Sequence, residues 1–323
     1  MNYIVLDLEW NQCALGKTNE IPGLPFEIIE FGAVKLDENK NIIGEFSEPV
    51  CPKVYKKLHY ITKGVVKLRE AELKAARPFK AVADDFIKWC GDNYTMCIWG
   101  IADLTELQRN FKYFGVENPF SVPLFYFDIQ KMFSLLYEDG KIRRSLEDAV
   151  DLLGIKKNRD FHRAFDDAYY TAMIIRKMNM ECVKGNFSVD YYRPPLKKKD
   201  EIYLVFGGYS KYVSRVFDCR EDMMGDKDVA ATRCYQCGRL LRKRIKWFPS
   251  GRTYLCVSYC PKHGYLKGKI RVKRTDDGKF FAVKTLKITD EETVNMIKER
   301  KNELKKRRYE KKLKLLVDLQ EEK

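Results

Sequence analysis

The sequence predicts an α/β domain with a mixed sheet flanked by helices, followed by a small β-rich module and a basic C-terminal helix. Three observations carry that reading. Strand-like apolar runs fill roughly the first fifty residues, helix-period stripes then alternate with short strands to about residue 180, and two Cys/His pairs bracket a basic stretch after residue 200.

Taken in order, Tyr3–Trp10, Phe26–Leu36 and Ile42–Val50 read as three successive strands, the last two joined by the polar turn at residues 37–41. Phe79, Val82, Phe86 and Trp89 then share one helical stripe. Met96–Trp99 is a short buried strand leading into Leu104, Leu107, Phe111 and Phe114 at helical spacing. Another strand spans about Leu124–Asp128. Ser145 with Asp148 resembles a capping box for a helix through Leu152 and Leu153 that Gly154 stops, and a last helix holds Asp167, Tyr170, Ile174 and Met178.

Composition separates the two halves. Residues 1–183 carry 25 Lys and Arg against 27 Asp and Glu, a net of −2, whereas residues 184–323 carry 36 against 19, a net of +17. A near-neutral half with clustered acids joined to a strongly basic half points to a catalytic domain with a polyanion-binding extension. The chain opens directly on a strand-like run and has no apolar stretch near 18 residues, so a soluble cytoplasmic protein without a membrane partner is expected. The ten Cys should then be reduced, which turns paired spacings into candidate metal ligands.

Asp7 and Glu9 lie two apart on the first strand and project from one face, beside neighbours that belong in a core. Two buried carboxylates repel each other unless a hard divalent cation such as Mg²⁺ or Mn²⁺ sits between them. Asp103 falls where a strand gives way to a helix, and Asp167 early in an amphipathic helix. His162 is five residues before Asp167, too far round one helix to share its face, so it belongs on the preceding loop. There its ordinary pKa near 6.5 suits a general base.

Asp7-x-Glu9, Asp103 and His162-x-Ala-x-x-Asp167 together resemble the DEDDh 3′–5′ exonucleases. Trp99-Gly-x-x-Asp103, the Ser145-Leu-Glu-Asp…Leu-Gly-Ile155 segment and the Asp166-Asp167 ending are similar to the branch of enhanced-RNAi-type and sporulation-inhibitor-type enzymes. The resemblance covers roughly residues 1–180. It implies a ribonuclease-H-like fold and two-metal hydrolysis from the 3′ end, releasing nucleoside 5′-monophosphates. Asp7 would bridge both ions, Glu9 and Asp167 would hold the first, Asp103 would reach the second through water, and His162 would deprotonate the attacking water. His59-Tyr-Ile-Thr62 resembles the segment beside the bound 3′ end. Trp10 replaces the small hydroxyl residue common in the family, and is either a core aromatic or a stacking ring. The expected substrate is single-stranded or 3′-overhang RNA, with a DNA-directed enzyme or an inactive RNA-binding descendant as alternatives.

Beyond residue 183, a Pro- and Lys-rich stretch reads as a linker over 184–200 and a zinc-ribbon-like region as 201–288. Cys234-x-x-Cys237-Gly and Cys260-x-x-His263-Gly are two knuckles suited to one tetrahedral Zn²⁺, with Cys256 a competing ligand. Arg242, Lys243, Arg244 and Trp247 between them are candidate nucleic-acid contacts. Thr289 with Glu292 marks the start of a terminal helix over 289–323, in which residues 298–314 hold ten Lys or Arg against three Glu. RNA, ribonucleoprotein or ribosome contact is its expected role, a solvated helix the alternative; Leu313, Leu316 and Leu319 are candidate docking residues.

Overall fold

The structure, a computed structural model, describes residues 1–321. The chain divides into two compact units, Met1–Arg193 and Pro194–Lys323. Among the described residues no helix is long and apolar enough to cross a membrane.

The first unit is built on β1 (Asn2–Gln12), β2 (Phe26–Leu36) and β3 (Ile42–Cys51), followed by α1 (Tyr60–Val65), α2 (Glu70–Ala75), β4 (Arg77–Pro78), α3 (Phe79–Cys90), β5 (Tyr94–Ile98), α4 (Ala102–Phe114), β6 (Phe125–Asp128), α5 (Ile129–Tyr137), α6 (Leu146–Leu152), α7 (Ala164–Lys177), α8 (Met180–Val183) and β7 (Ser188–Val189). The seven strands form one mixed sheet in the order β4-β3-β2-β1-β5-β6-β7. β1 to β3 are antiparallel, whereas β5 and β6 run parallel to β1. This is the mixed sheet flanked by helices that the sequence predicted.

Side-chain alternation along β1 decides where the site can be. Ile4, Leu6 and Leu8 enter a core with Phe79, Phe86, Leu107 and Phe111 of α3 and α4. Val5 points to the opposite core, with Ile129 of α5, Ala149 of α6 and Ala168 and Ile175 of α7. Asp7 and Glu9 share the side of Val5 and therefore face α7. Phe31, Phe86 and Phe111 are at most 1% exposed, and such burial contributes about 1.5–3 kcal/mol per side chain.

One sequence expectation changes here and another is extended. Residues 184–193 are not linker: β7 pairs with β6, and the Asp190 carboxylate accepts from Gln108 Nε2 at 2.9 Å. Asp128 does not merely end a strand, because its carboxylate accepts the Lys131 N–H at 2.9 Å and caps α5.

The second unit contains β8 (Ile202–Phe206), β9 (Tyr209–Val213), α9 (Arg220–Gly225), α10 (Lys227–Ala230), β10 (Arg242–Ser250), β11 (Thr253–Cys260), β12 (Gly264–Arg274), β13 (Phe280–Ile288) and α11 (Glu291–Glu321). Its six strands make an antiparallel sheet in the order β10-β11-β12-β13-β9-β8, larger than the small ribbon expected. Met223 and Val229, from α9 and α10, pack with Tyr212, Ile270 and Ala282 on one face. The other receives Ile297 of α11 against Ile245, Phe248 and Val257.

Buried Lys284 ties α10 to the sheet, donating to the carbonyls of Asp228, Val229 and Ala231 at 2.6, 3.1 and 2.7 Å. Asp290, not Thr289, caps α11, its carboxylate accepting the Thr293 N–H at 2.7 Å. Leu313 is exposed; the side chains of Leu316 and Leu319 lie outside the described residues.

Candidate active site and a second metal-ligand cluster

Four elements bring the predicted acids together. Carboxylate oxygens of Asp7, Glu9 and Asp167 all lie within 4.8 Å of one another. Their convergence depends on β2 as well as β1 and α7. Gly32 is the register partner of Asp7, and a Cβ built on it would come within 1.9 Å of the Ala164 carbonyl carbon. Only glycine at that position lets the first turn of α7 lie on the sheet and deliver Asp167.

Asp103 is placed differently. β5 pairs with β1 only as far as Val5 and ends at Ile98, which leaves the next β1 amides without a partner strand. The Asp103 carboxylate, arriving from the first turn of α4, accepts the Leu8 N–H at 3.2 Å. It is buried at 6% exposure and stands outside the group of three, although close enough to perturb Asp7.

The electrostatics of the four acids agree with the crowding. Burial, then Asp103, Asp167 and Glu9, push the Asp7 carboxyl well above the usual range. Burial, then Asp167 and Glu30, raise Glu9 to about 8. Asp103 and Asp167 are raised to about 7, both chiefly by burial. Asp167 Oδ1 is buried with no hydrogen-bond partner. A buried acceptor left unpaired among carboxylates that resist ionising is the donor set a hard divalent cation requires.

His162 sits on the loop before α7, as its spacing to Asp167 required. Its φ is 68° and its side chain is exposed. The strained backbone is held from both sides: its N–H donates to Asp167 Oδ2 at 3.2 Å, and its carbonyl accepts the Lys67 N–H at 3.4 Å. His59 is tied up locally. Its ring is 9% exposed, and Nδ1 lies 2.9 Å from Gln12 Nε2 and accepts the Ile61 N–H at 3.3 Å as the cap of α1. The exposed groups of that segment are Tyr60 and Ile61. Trp10 packs on Phe26 with ring centroids 5.7 Å apart, within the α3–α4 core.

One residue of the site escaped the sequence reading. Glu30, 1% exposed, accepts from Arg163 Nε at 2.9 Å, Arg163 Nη2 at 2.7 Å and the Ala164 N–H at 3.0 Å. It fixes the junction between the His162 loop and α7. The signal was present, since two acids, Glu27 and Glu30, interrupt an otherwise apolar central strand.

In the second unit, ligand atoms of Cys234, Cys237, Cys260 and His263 likewise gather within 4.8 Å. Cys234 Sγ lies 3.3 Å from His263 Nδ1, and Cys237 Sγ 3.7 Å from Cys260 Sγ. Gly238 and Gly264 follow the two knuckles with φ of 70° and 78°, which lets each chain turn back tightly. Burial opposes ionisation of Cys260, but the Lys262 and His263 amides, the His263 ring and Cys237 bring its thiol down to about 6. Three soft sulfurs and one imidazole fit a tetrahedral Zn²⁺.

Two expectations for this region fail. Cys256 is outside the group, buried in the sheet with its thiol raised to about 12 by burial. Trp247 is not a free stacking ring, because it packs in the α9–α10 core and its Nε1–H donates to the Ala230 carbonyl at 2.9 Å. Arg242 and Arg244 are exposed and Lys243 is half-buried.

Comparison with known proteins adds three findings. A family model described as exonuclease matches residues 4–175. No curated protein matches the chain. Among solved structures, the nuclease domain of 3′hExo, a DEDDh family member bound to rAMP, is similar at 20% identity over 58% of this chain and 96% of its own, with a TM-score of 0.48. A 3′-exonuclease recognising the histone mRNA stem-loop matches at 18% identity over 61% and 93%, TM-score 0.49. E. coli exonuclease I in complex with an oligonucleotide matches at 14% over 80% and 54%, TM-score 0.45.

Proposed function

Because the chain belongs to the RNase T exonuclease family, we propose that it is a two-metal 3′–5′ exonuclease that acts on single-stranded or 3′-overhang nucleic acid, preferentially RNA, and releases nucleoside 5′-monophosphates. The observation that carries this reading is the unpartnered, buried Asp167 Oδ1 among the raised carboxyls of Asp7 and Glu9.

Asp7, Glu9 and Asp167 would hold the ions directly and Asp103 through water. Mg²⁺ or Mn²⁺, when bound, neutralises charge on the attacking and leaving oxygens of an in-line displacement. The chain's own groups do the rest. His162, exposed at the edge of the site on a loop anchored by Asp167 and Lys67, accepts the proton of the attacking water at its ring. Glu30 and Arg163 keep that loop and the start of α7 in one arrangement, which preserves the spacing between base and carboxylates.

The second unit is proposed to bind Zn²⁺ through Cys234, Cys237, Cys260 and His263 and to hold nucleic acid, consistent with the excess of cations beyond residue 183. Its cationic helix α11 would extend that field toward RNA or a ribonucleoprotein such as the ribosome.

The test is product analysis with purified protein, Mg²⁺ or Mn²⁺, and matched 5′-labelled single-stranded RNA and DNA, each with an Asp7→Ala control. A 3′-shortening ladder on RNA that the control lacks supports the full reading. A ladder on both sugars leaves a general exonuclease. Retained binding without shortening by either metal points instead to an inactive nucleic-acid-binding protein.

A further inference from the structure

β12 carries an arrangement that a sheet strand does not need for its own stability. Leu266, Gly268 and Ile270 point into the side covered by α9, α10 and the knuckles. Lys267, Lys269 and Arg271 therefore line the opposite side, at a rise of about 6.8 Å per two residues. Register adds a fourth cation, since Lys267 is directly opposite Lys287 of β13. Like charges paired across a ladder are destabilising.

Arg271 and Lys287 are exposed, and Lys267 and Lys269 are half-buried. Among the described residues none of the four has an ion pair or a side-chain hydrogen bond. Burial, then Arg271 and Lys267, lower the pKa of Lys269, as expected for a cation crowded by others.

The shape fits an elongated ligand. α11 packs on this face through Val294, Ile297 and Leu304, against Ile245, Phe248 and Val257 and, at the start of β12, Tyr265. Lys267, Lys269 and Arg271 follow Tyr265 along the same side of β12. At one end the row continues into Tyr265, opposite Tyr259 with ring centroids 5.0 Å apart. Both rings are covered, Tyr265 by α11 and Tyr259 by the Arg244 guanidinium 5.4 Å from its centroid, so the cations carry the match: their regular spacing suits successive phosphates of an extended strand.

We propose that the α11-side face of the second unit's sheet, along the row of Lys267, Lys269, Arg271 and Lys287, is a track for single-stranded nucleic acid. This moves the binding surface from β10, where the sequence placed it, to β12. The inference rests on the exonuclease reading for the identity of its ligand.

The test compares the full-length protein with a Lys267→Gln/Lys269→Gln/Arg271→Gln variant and an Arg242→Gln/Arg244→Gln/Lys246→Gln variant. Binding of a labelled 30-nucleotide single strand is measured by fluorescence anisotropy in EDTA at several salt concentrations, with zinc occupancy and melting temperature as folding controls. The β12 variant is expected to weaken binding at least tenfold and to reduce the slope of log affinity against log salt by about 2, near 0.7 per lost phosphate contact. Its ratio of 30-mer to 5-mer hydrolysis should fall in step. Unchanged affinity and slope, or a larger loss in the β10 variant, overturns the proposal. If the triple variant does not fold, Lys267→Gln and Arg271→Gln are read singly, each with a slope loss near 0.7. Wild-type protein that binds through β12 but cleaves nothing would sink the nuclease reading alone. Cleavage with β12-independent binding would sink the track alone.

Discussion

The two units solve the problem of buried ligands in opposite ways. In the first, the carboxylates come from β1, α4 and α7, elements that meet only once two cores have closed around the sheet. The packed elements hold the acids together, leaving Glu9 at about 8 and Asp103 and Asp167 at about 7. In the second, two short knuckles present sulfur and nitrogen at one end of a sheet, and one thiol is already lowered to about 6. On the proposed function, a cation at the first site would relieve repulsion in a structure that stands without it, whereas one at the second would act as a crosslink on which the structure depends. Metal removal should therefore cost activity in one unit and folding in the other.

The largest effect is expected at the knuckles. Structural zinc contributes on the order of 10 kcal/mol to small metal-dependent folds, so Cys234→Ser should abolish zinc binding and the cooperative melting of the second unit. The transition of the first unit should stay in place. Calorimetry with zinc analysis reads both, and an unchanged second transition would remove the crosslink from the account.

Next comes Asp7→Asn, which keeps the shape of the side chain but removes the shared charge. Metal-ion stabilisation of a transition state is worth several kcal/mol, so kcat should drop by about 10³-fold or more. Melting temperature should rise slightly in metal-free buffer at about pH 8.5, where the neighbouring acids are ionised, because one member of a repelling group is gone. A metal-free variant less stable than wild type would contradict the idea that the acids are strained without a cation.

Glu30→Gln tests whether the first site is held by its fold alone. Breaking a buried ion pair costs about 3–5 kcal/mol, less where the partner is part-solvated as Arg163 is, so about 2 kcal/mol and several degrees are expected. Activity should fall about tenfold with little change in KM, since the His162 loop loosens while the substrate surface is unaltered. Normal kcat in a destabilised variant would reduce Glu30 to a structural role.

Much of the first unit was legible because its signals are local. Phe26–Leu36, rich in apolar residues, matches β2 end to end, and Asp7 and Glu9 share a face because strand alternation is fixed. α5 was missed because Asp128 ends a strand and caps the next helix at once. The second unit is harder for a physical reason. β9 pairs with β13, whose residues are some seventy positions away, so no local pattern announces a six-stranded sheet. The Ile202–Phe206 and Tyr209–Val213 runs around Gly207-Gly208 were a readable hairpin signal. Trp247 as a contact and Cys256 as the alternative ligand fall for one cause: residue type offers a function, while burial on a strand face decides whether it is available.

The smallest expected effect separates the units by pH. Asp7, Glu9, Asp103 and Asp167 have folded-state pKa values raised above the unfolded values near 4. Their folded forms hold protons that the unfolded chain releases, so metal-free protein gains stability from them at low pH and loses it as pH rises from about 4 through about 8. Mg²⁺ must displace those protons, which makes its binding weak below the raised values and strong above them. Melting of the first unit should therefore shift by about 1 °C or less on adding Mg²⁺ at pH 5.5. At pH 8.5 the shift should reach about 5 °C, the size expected when ligand exceeds its Kd by some tens-fold. The second unit, whose sulfur-rich cluster disfavours Mg²⁺, should melt at the same temperature with and without it. A Mg²⁺ shift that is constant across this range would mean the carboxylates are already ionised without a cation, and the contrast between the two sites would have to be redrawn around geometry rather than charge.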